Sequence, residues 1–314
     1  MKRSTLGLLL VFAFALAPSL ALAQGNTHTV PGDFATIQLA IDDASVLSGD
    51  KIIVGSGYHA GATVTKAVEI TGEDGAVIND GPLPWGAGGS KSGFFFVAGG
   101  SGSGATISHL RFEVEFPVFS RGADDVTVTH NLMMNANQGI TNWRGSRWNI
   151  THNEIIDLRT NNGGGIGILV GSWTGGIMED NVLAHNKISG TLHVLPGDGG
   201  GYNGTGIVLY ADFRWGAAGA ERIAYNRVVK NKVGLTSDTP GTVDVVAIEL
   251  TDSRDELAVP EVIHHNAIGF NDLRDTAIQI ALTPETLGTV NAISRNLGEN
   301  RGHGLHPSVF GPRR

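Results

Sequence analysis

Apolar and polar positions along this chain follow a short recurring phrase, not a helical or simply alternating period. An apolar residue, two variable residues, an asparagine, one more variable residue and usually an apolar one return six times. The copies are Val128-Thr129-His130-Asn131, Ile150-Thr151-His152-Asn153, Met178-Glu179-Asp180-Asn181, Ile223-Ala224-Tyr225-Asn226, Ile263-His264-His265-Asn266 and Ile293-Ser294-Arg295-Asn296, with Leu183-Ala184-His185-Asn186 as an alternative register for the third. A second phrase, a small residue before an aliphatic one, alternates with it at Gly139-Ile140, Gly167-Ile168, Gly206-Ile207, Ala247-Ile248, Ala277-Ile278 and Gly304-Leu305. Strands this short cannot bury their apolar residues within one turn of chain, so the order predicts coils stacked at about 4.8 Å that bury them jointly. Asparagine is expected at the bend, where it tolerates left-handed backbone and its amide reaches the neighbouring coil. An antiparallel sandwich would show paired strands joined by hairpin dipeptides. The fixed order of one phrase points instead to an all-β right-handed parallel β-helix solenoid of roughly nine coils.

Upstream, residues 36–44 place Ile37, Ala40, Ile41 and Ala44 on one helical face, and residues 49–54 read as a strand. A short N-terminal α-helix capping the open end of the solenoid is the expectation. With Gly57-Tyr58, Val64, Lys66-Ala67-Val68-Glu69-Ile70 and Gly72, this segment resembles the N-terminal cap and first coil of the pectin-lyase-like superfamily. The later asparagine and Gly-Ile coils are similar to the generic parallel β-helix repeat of that superfamily. The resemblance implies the fold; for function it implies only a range, from polysaccharide lyases, glycoside hydrolases and epimerases to tailspikes and proteins without known activity. The residue patterns of its characterised enzymes are not found. Asp124-Asp125 and His303-Gly304, which match fragments of the polygalacturonase pattern, are far apart, and nothing corresponds to the Trp-Ile-Asp-His of pectate lyases or the Asp-Pro-His-Asp of alginate epimerases.

Composition narrows the setting. Met1-Lys2-Arg3, the apolar stretch from Leu6 to Leu22 and the box Ala21-Leu22-Ala23 have the layout of a cleavable secretory signal. Residues 1–23 are therefore expected to be a signal peptide and residues 24–314 a single secreted or periplasmic domain, with no further apolar run of spanning length. The chain has no cysteine, so stability rests on packing alone. Its formal charge is −8, becoming −10 when Lys2 and Arg3 leave with the signal, which argues against a nucleic-acid partner.

Candidate chemistry lies in loops after the small-aliphatic phrase: residues 142–148, Gly171-Ser172-Trp173, Asp212-Phe213-Arg214-Trp215 and Asp252-Ser253-Arg254. Stacked coils would align Trp143, Trp173 and Trp215 into a strip of indoles beside Arg144, suited to sugar rings with acidic substituents. The expected partner is a polysaccharide, which a lyase-like or glycoside-hydrolase-like protein would bind and cleave; the alternative is a non-catalytic carbohydrate-binding or structural surface protein. For β-elimination, Arg214 or Arg254 would take the proton beside a uronate carboxylate, with a Ca²⁺ ion on Asp212 and Asp252, or a second arginine, neutralising developing charge. No other cofactor is implied. For hydrolysis, Asp212 and Asp252 would divide the acid and nucleophile roles. Their offsets from Ile207 and Ile248 differ by one residue, so equal facing is not given. The residues before the repeat asparagines, His130, His152, Asp180, Tyr225, His265 and Arg295, read as one outward polar file with no metal site. His264 and His265 are expected to face apart. The C-terminal segment 305–311 has no amphipathic cap, which leaves the last coil open to another subunit.

Overall fold

The aliphatic phrases build parallel sheets in the computed structural model, which describes residues 25–86, 89–160, 164–173, 175–195, 204–213, 222–241, 243–252, 262–283, 286–298 and 301–302. The expected signal peptide, Arg214, Trp215, Arg254 and the C-terminal segment lie outside the described residues. Every strand pairing among the described residues is parallel. The strands form sheet A of 10, sheet B of 7, sheet C of 9 and sheet D of 3. The chain visits A, B and C in rotation. Thr127–Thr129, Leu132–Ala136 and Gln138–Trp143 make one coil, and Asn149–Thr151, Glu154–Arg159 and Ile166–Trp173 the next, with Val128 opposite Ile150, Met133 opposite Ile155 and Ile140 opposite Ile168. This is a parallel β-helix. Sheet D (Ile177–Glu179, Arg222–Ala224, Ile263–His264) enters between C and A in the later coils. No helix among the described residues is long and apolar enough to cross a membrane.

Packing follows the files that this register creates. Ile52, Ile70, Ile107, Val128, Ile150, Leu183, Val228, Ile268 and Ile293 stand one above another in sheet A and are buried in the common core. Each such side chain contributes about 1.5–3 kcal/mol. The N-terminal helix is Ile37–Asp42, shorter than expected: Thr36 caps it by accepting from the Leu39 amide, and Ile37, Ala40 and Ile41 are buried. It ends because the Asp43 carboxylate accepts from Ser45 N and Oγ, at 2.8 and 2.6 Å, which leaves Ala44 exposed and hands the next core position to Val46. Asp50, buried beneath the cap, accepts from Asn26 N and Leu47 N, each at 2.8 Å.

The six asparagine phrases divide between two columns. Asn131, Asn153, Asn186, Asn231, Asn271 and Asn296 form one ladder at the bend from sheet A to sheet B, so the alternative register with Asn186 is the one that continues sheet A. Asn181, Asn226, Asn266 and Asn291 form a second ladder between sheets D and A. Except at Asn291, which follows a short helix, the left-handed residue is the one before the asparagine, as at His130 (φ 55°), His152 (φ 56°) and Tyr225 (φ 59°). This frees the asparagine side chain to turn inward. Asn231 Oδ1 accepts from both Asn186 N and Asn186 Nδ2, each at 3.0 Å, while its Nδ2 donates to Leu183 O at 2.9 Å and Asn271 Oδ1 at 3.0 Å. Only a primary amide offers a paired acceptor and a paired donor at this size. Asn231→Ala strands a buried amide donor on the coil before, and is expected to cost about 3 kcal/mol in denaturant unfolding. Asn149→Ala, on an exposed residue, is expected to stay within about 0.5 kcal/mol in the same measurement.

Candidate functional site

Sheet C has the longest strands, and its outer face is not the polar surface that alternation normally gives. Ile140, Ile168, Ile207, Ile248 and Ile280 stand in register and point into the core. Outside them Phe116, Phe119, Trp143, Ile166, Leu169, Val208 and Tyr210 form a second buried apolar cluster, with Phe95 packed against it. The few polar groups on this face pair with one another. Thr141 Oγ1 donates to Gln138 Oε1 at 2.8 Å, and Thr205 Oγ1 donates to Glu249 Oε2 at 2.9 Å.

Glu249 is the chemically unusual member. It is fully buried, lies opposite Val208 and Ala281, and its Oε1 has no hydrogen-bond partner. Burial pushes its carboxyl from 4.5 up to about 7, against the lowering effect of the Thr205 hydrogen bond. The protonated acid can thus persist near neutral pH. Its only signal in the sequence is one acid inside the otherwise apolar run Val245–Leu250.

The expected indole strip takes a different form. Trp143 closes the strand Gln138–Trp143, is only 7% exposed and meets Tyr210 edge to face at 6.1 Å. It is therefore a wall of the apolar cluster and not an open sugar platform. Trp148 is fully buried in the core, with its Nε1 donating to Ala123 O at 2.7 Å. Arg144 is exposed just beyond Trp143 in left-handed backbone (φ 66°). The backbone of Trp173 lies opposite Asp212. Among the indoles whose side chains are described, Trp85 is the open one: 48% exposed, it sits 4.8 Å from both Phe116 and Phe119, with the Arg121 guanidinium 6.0 Å from its ring.

Asp212 and Asp252 are both buried at the ends of their strands, but register separates them. Asp252 pairs with Ala211, which belongs to the inner core, whereas Asp212 follows Ala211 and shares the face of Tyr210. Successive residues of a strand face opposite ways, so this register does not present the two acids side by side for hydrolysis. Among the described residues no group of three or more His, Asp or Glu side chains is arranged to hold a metal ion. His264 and His265 do not face apart: the left-handed turn at His265 (φ 54°) brings their Nδ1 atoms to 2.7 Å.

Glu249 makes stability pH-dependent with a definite sign. Between about pH 4.5 and 7 the unfolded chain ionises this acid while the folded chain keeps its proton, so stability present below pH 4.5 is lost as pH rises to about 7. The loss is on the order of 3 kcal/mol. Thermal melts of the wild type and Glu249→Gln from pH 4 to 8 are expected to diverge, with the variant lacking the fall across this window.

No family model and no curated protein matches the chain. Among solved structures it is similar to the catalytic domain of a GH87 alpha-1,3-glucanase in complex with tetrasaccharides, at 12% identity over 94% of this chain and 70% of that one, with a TM-score of 0.36. It is likewise similar to that catalytic domain in complex with nigerose, at 13% identity over 94% and 70%, with a TM-score of 0.35. No residue is carried over from these structures; the parallel β-helix rests on this chain's own sheets.

Proposed function

We propose that this is an exported β-helix protein that binds polysaccharide at the exposed indole of Trp85, beside the outer face of sheet C. The observation that carries the reading is the exposed Trp85, braced by Phe116 and Phe119 with Arg121 beside it, at one end of a long apolar file. An indole held rigid in this way gives a sugar ring a flat face at little entropic cost, and the guanidinium serves an acidic or hydroxyl substituent. Arg144, exposed just beyond Trp143, is a further contact of this reading, together with Trp173 and Trp215.

Cleavage is the second reading. The register of Asp212 and Asp252 argues against a two-acid hydrolase and equally against one Ca²⁺ ion held by both, so the catalytic version rests on β-elimination with Arg214 or Arg254 as base.

Incubation of the protein with acidic and neutral polysaccharides, with and without Ca²⁺, separates these readings. The expected outcome is retention on at least one glycan, no reducing ends and no absorbance from unsaturated uronate. Trp85→Ala is expected to weaken retention at least tenfold with the fold intact by circular dichroism. Unsaturated products would replace the binding reading with a lyase, and no retention on any glycan would end it.

A further inference from the structure

A second edge of the solenoid carries a constellation separate from the sheet C face. At the bend from sheet A to sheet B, His109, His130, His152 and His185 occupy equivalent positions on successive coils, all left-handed (φ 55–58°) and all exposed. Their rings are parallel to within 5°, with centroids 5.2, 4.9 and 4.9 Å apart. The file continues through Lys230, Phe270 and Arg295, with the Arg295 guanidinium 5.3 Å from the Phe270 ring. A file of hydroxyls runs beside it: Ser108 Oγ donates to Thr71 Oγ1 at 3.1 Å, Thr129 and Thr151 hydroxyls meet at 3.1 Å, and Thr129 Oγ1 contacts His130 Nδ1 at 2.9 Å.

Parallel imidazoles at this spacing do not share one metal ion, because ligands about 2.0–2.1 Å from a zinc place two nitrogens at most about 4 Å apart. A single small anion would engage one rung and leave the rest unused. A linear polymer whose charges recur along its length engages every rung. We propose that His109, His130, His152 and His185 form a second binding edge, which takes a polyuronate-type acidic polysaccharide when the imidazoles are protonated.

Electrostatics sets the direction. With neutral imidazoles the edge offers little to a polyanion, and the chain's formal charge of −8 repels one. Burial, with the charges of His152 and His109, holds His130 below its ordinary value, so His130 resists charging while it has no ligand. Carboxylates laid along the file supply the missing counter-charge, binding takes up protons, and affinity rises as pH falls through the imidazole range. The other charges facing the file are Glu73, Asp74 and Arg111, which line the hollow beside His109 and His130, and Glu154, whose charge is taken by Lys187 at 2.6 Å. The acidic pair at the His109 end weakens that end, so His130, His152 and His185 carry most of the binding. The adjoining hydroxyl file matches the hydroxyl groups of a sugar chain, which favours a polysaccharide over a nucleic acid.

Retention of the full protein on immobilised polygalacturonate at pH 5.0 and 7.5 tests this. At least tenfold tighter binding at pH 5.0 is expected, lost in the double variant His130→Asn and His152→Asn; asparagine tolerates the left-handed backbone, so the coils are kept. His152→Lys, which copies Lys230 two file positions further on, is expected to bind more tightly than wild type at pH 7.5. Equal binding at the two pH values, an unchanged double variant, or preference for single-stranded DNA over polygalacturonate would each overturn the proposal. The double variant His130→Asn and His152→Asn is expected to leave glycan retention at pH 7.5 as it is in wild type, so failure of this edge reads differently from failure of the Trp85 face.

Discussion

One constraint governs this molecule: parallel strands closed into a coil place every residue directly beside its counterpart one rung away, at about 4.8 Å. Side chains are therefore selected in files. An aliphatic residue on one coil is useful because aliphatic residues lie above and below it, and Ile150 between Val128 and Leu183 is typical. The polar consequence is the pair of asparagine ladders, in which buried amides that would be costly alone satisfy one another and the backbone. The surface consequence is the stack of imidazoles, whose spacing was set by the backbone before any ligand is considered.

The outer face of sheet C obeys the same constraint with a different result. Its outward files hold phenylalanine, leucine, valine and tyrosine where a solvated sheet would hold polar groups, and Glu249 sits among them with one oxygen unpaired. The buried side chains of this face add to the stability that the inner core provides. This face is a second layer of packing whose members are buried, and the indole of Trp85 is exposed beside Phe116 and Phe119.

Much of the architecture was legible in the order of residues. The small-aliphatic phrase marks sheet C because the glycine must clear the next coil: a Cβ at Gly167 would come within 2.5 Å of the Gly206 carbonyl oxygen. The assignment of asparagines to one column failed because Met178-Glu179-Asp180-Asn181 and Leu183-Ala184-His185-Asn186 lie five residues apart, and nothing local shows that a fourth sheet has entered between them. His109 was invisible for a related reason: it is followed by Leu110, not by asparagine, and the Asn131 side chain accepts from the Leu110 amide instead. The tryptophans misled because strand ends and loops look alike in sequence, whereas register turns Trp143 toward Tyr210 and packing takes Trp148 into the core. Facing of Asp212 and Asp252 hung on a single residue of offset, which only pairing resolves.

The ladders also give the molecule a direction. In each, the asparagine of one coil donates through Nδ2 to the Oδ1 of the asparagine on the next, so the amides line up head to tail from Asn131 to Asn296 and polarise one another. Every interior rung therefore presents the same acceptor backward and the same donor forward. A whole coil inserted or excised by duplication or deletion meets identical partners on both sides, and length becomes a property that evolution can change without redesigning the core. A surface read by a polymer gains reach in the same increments.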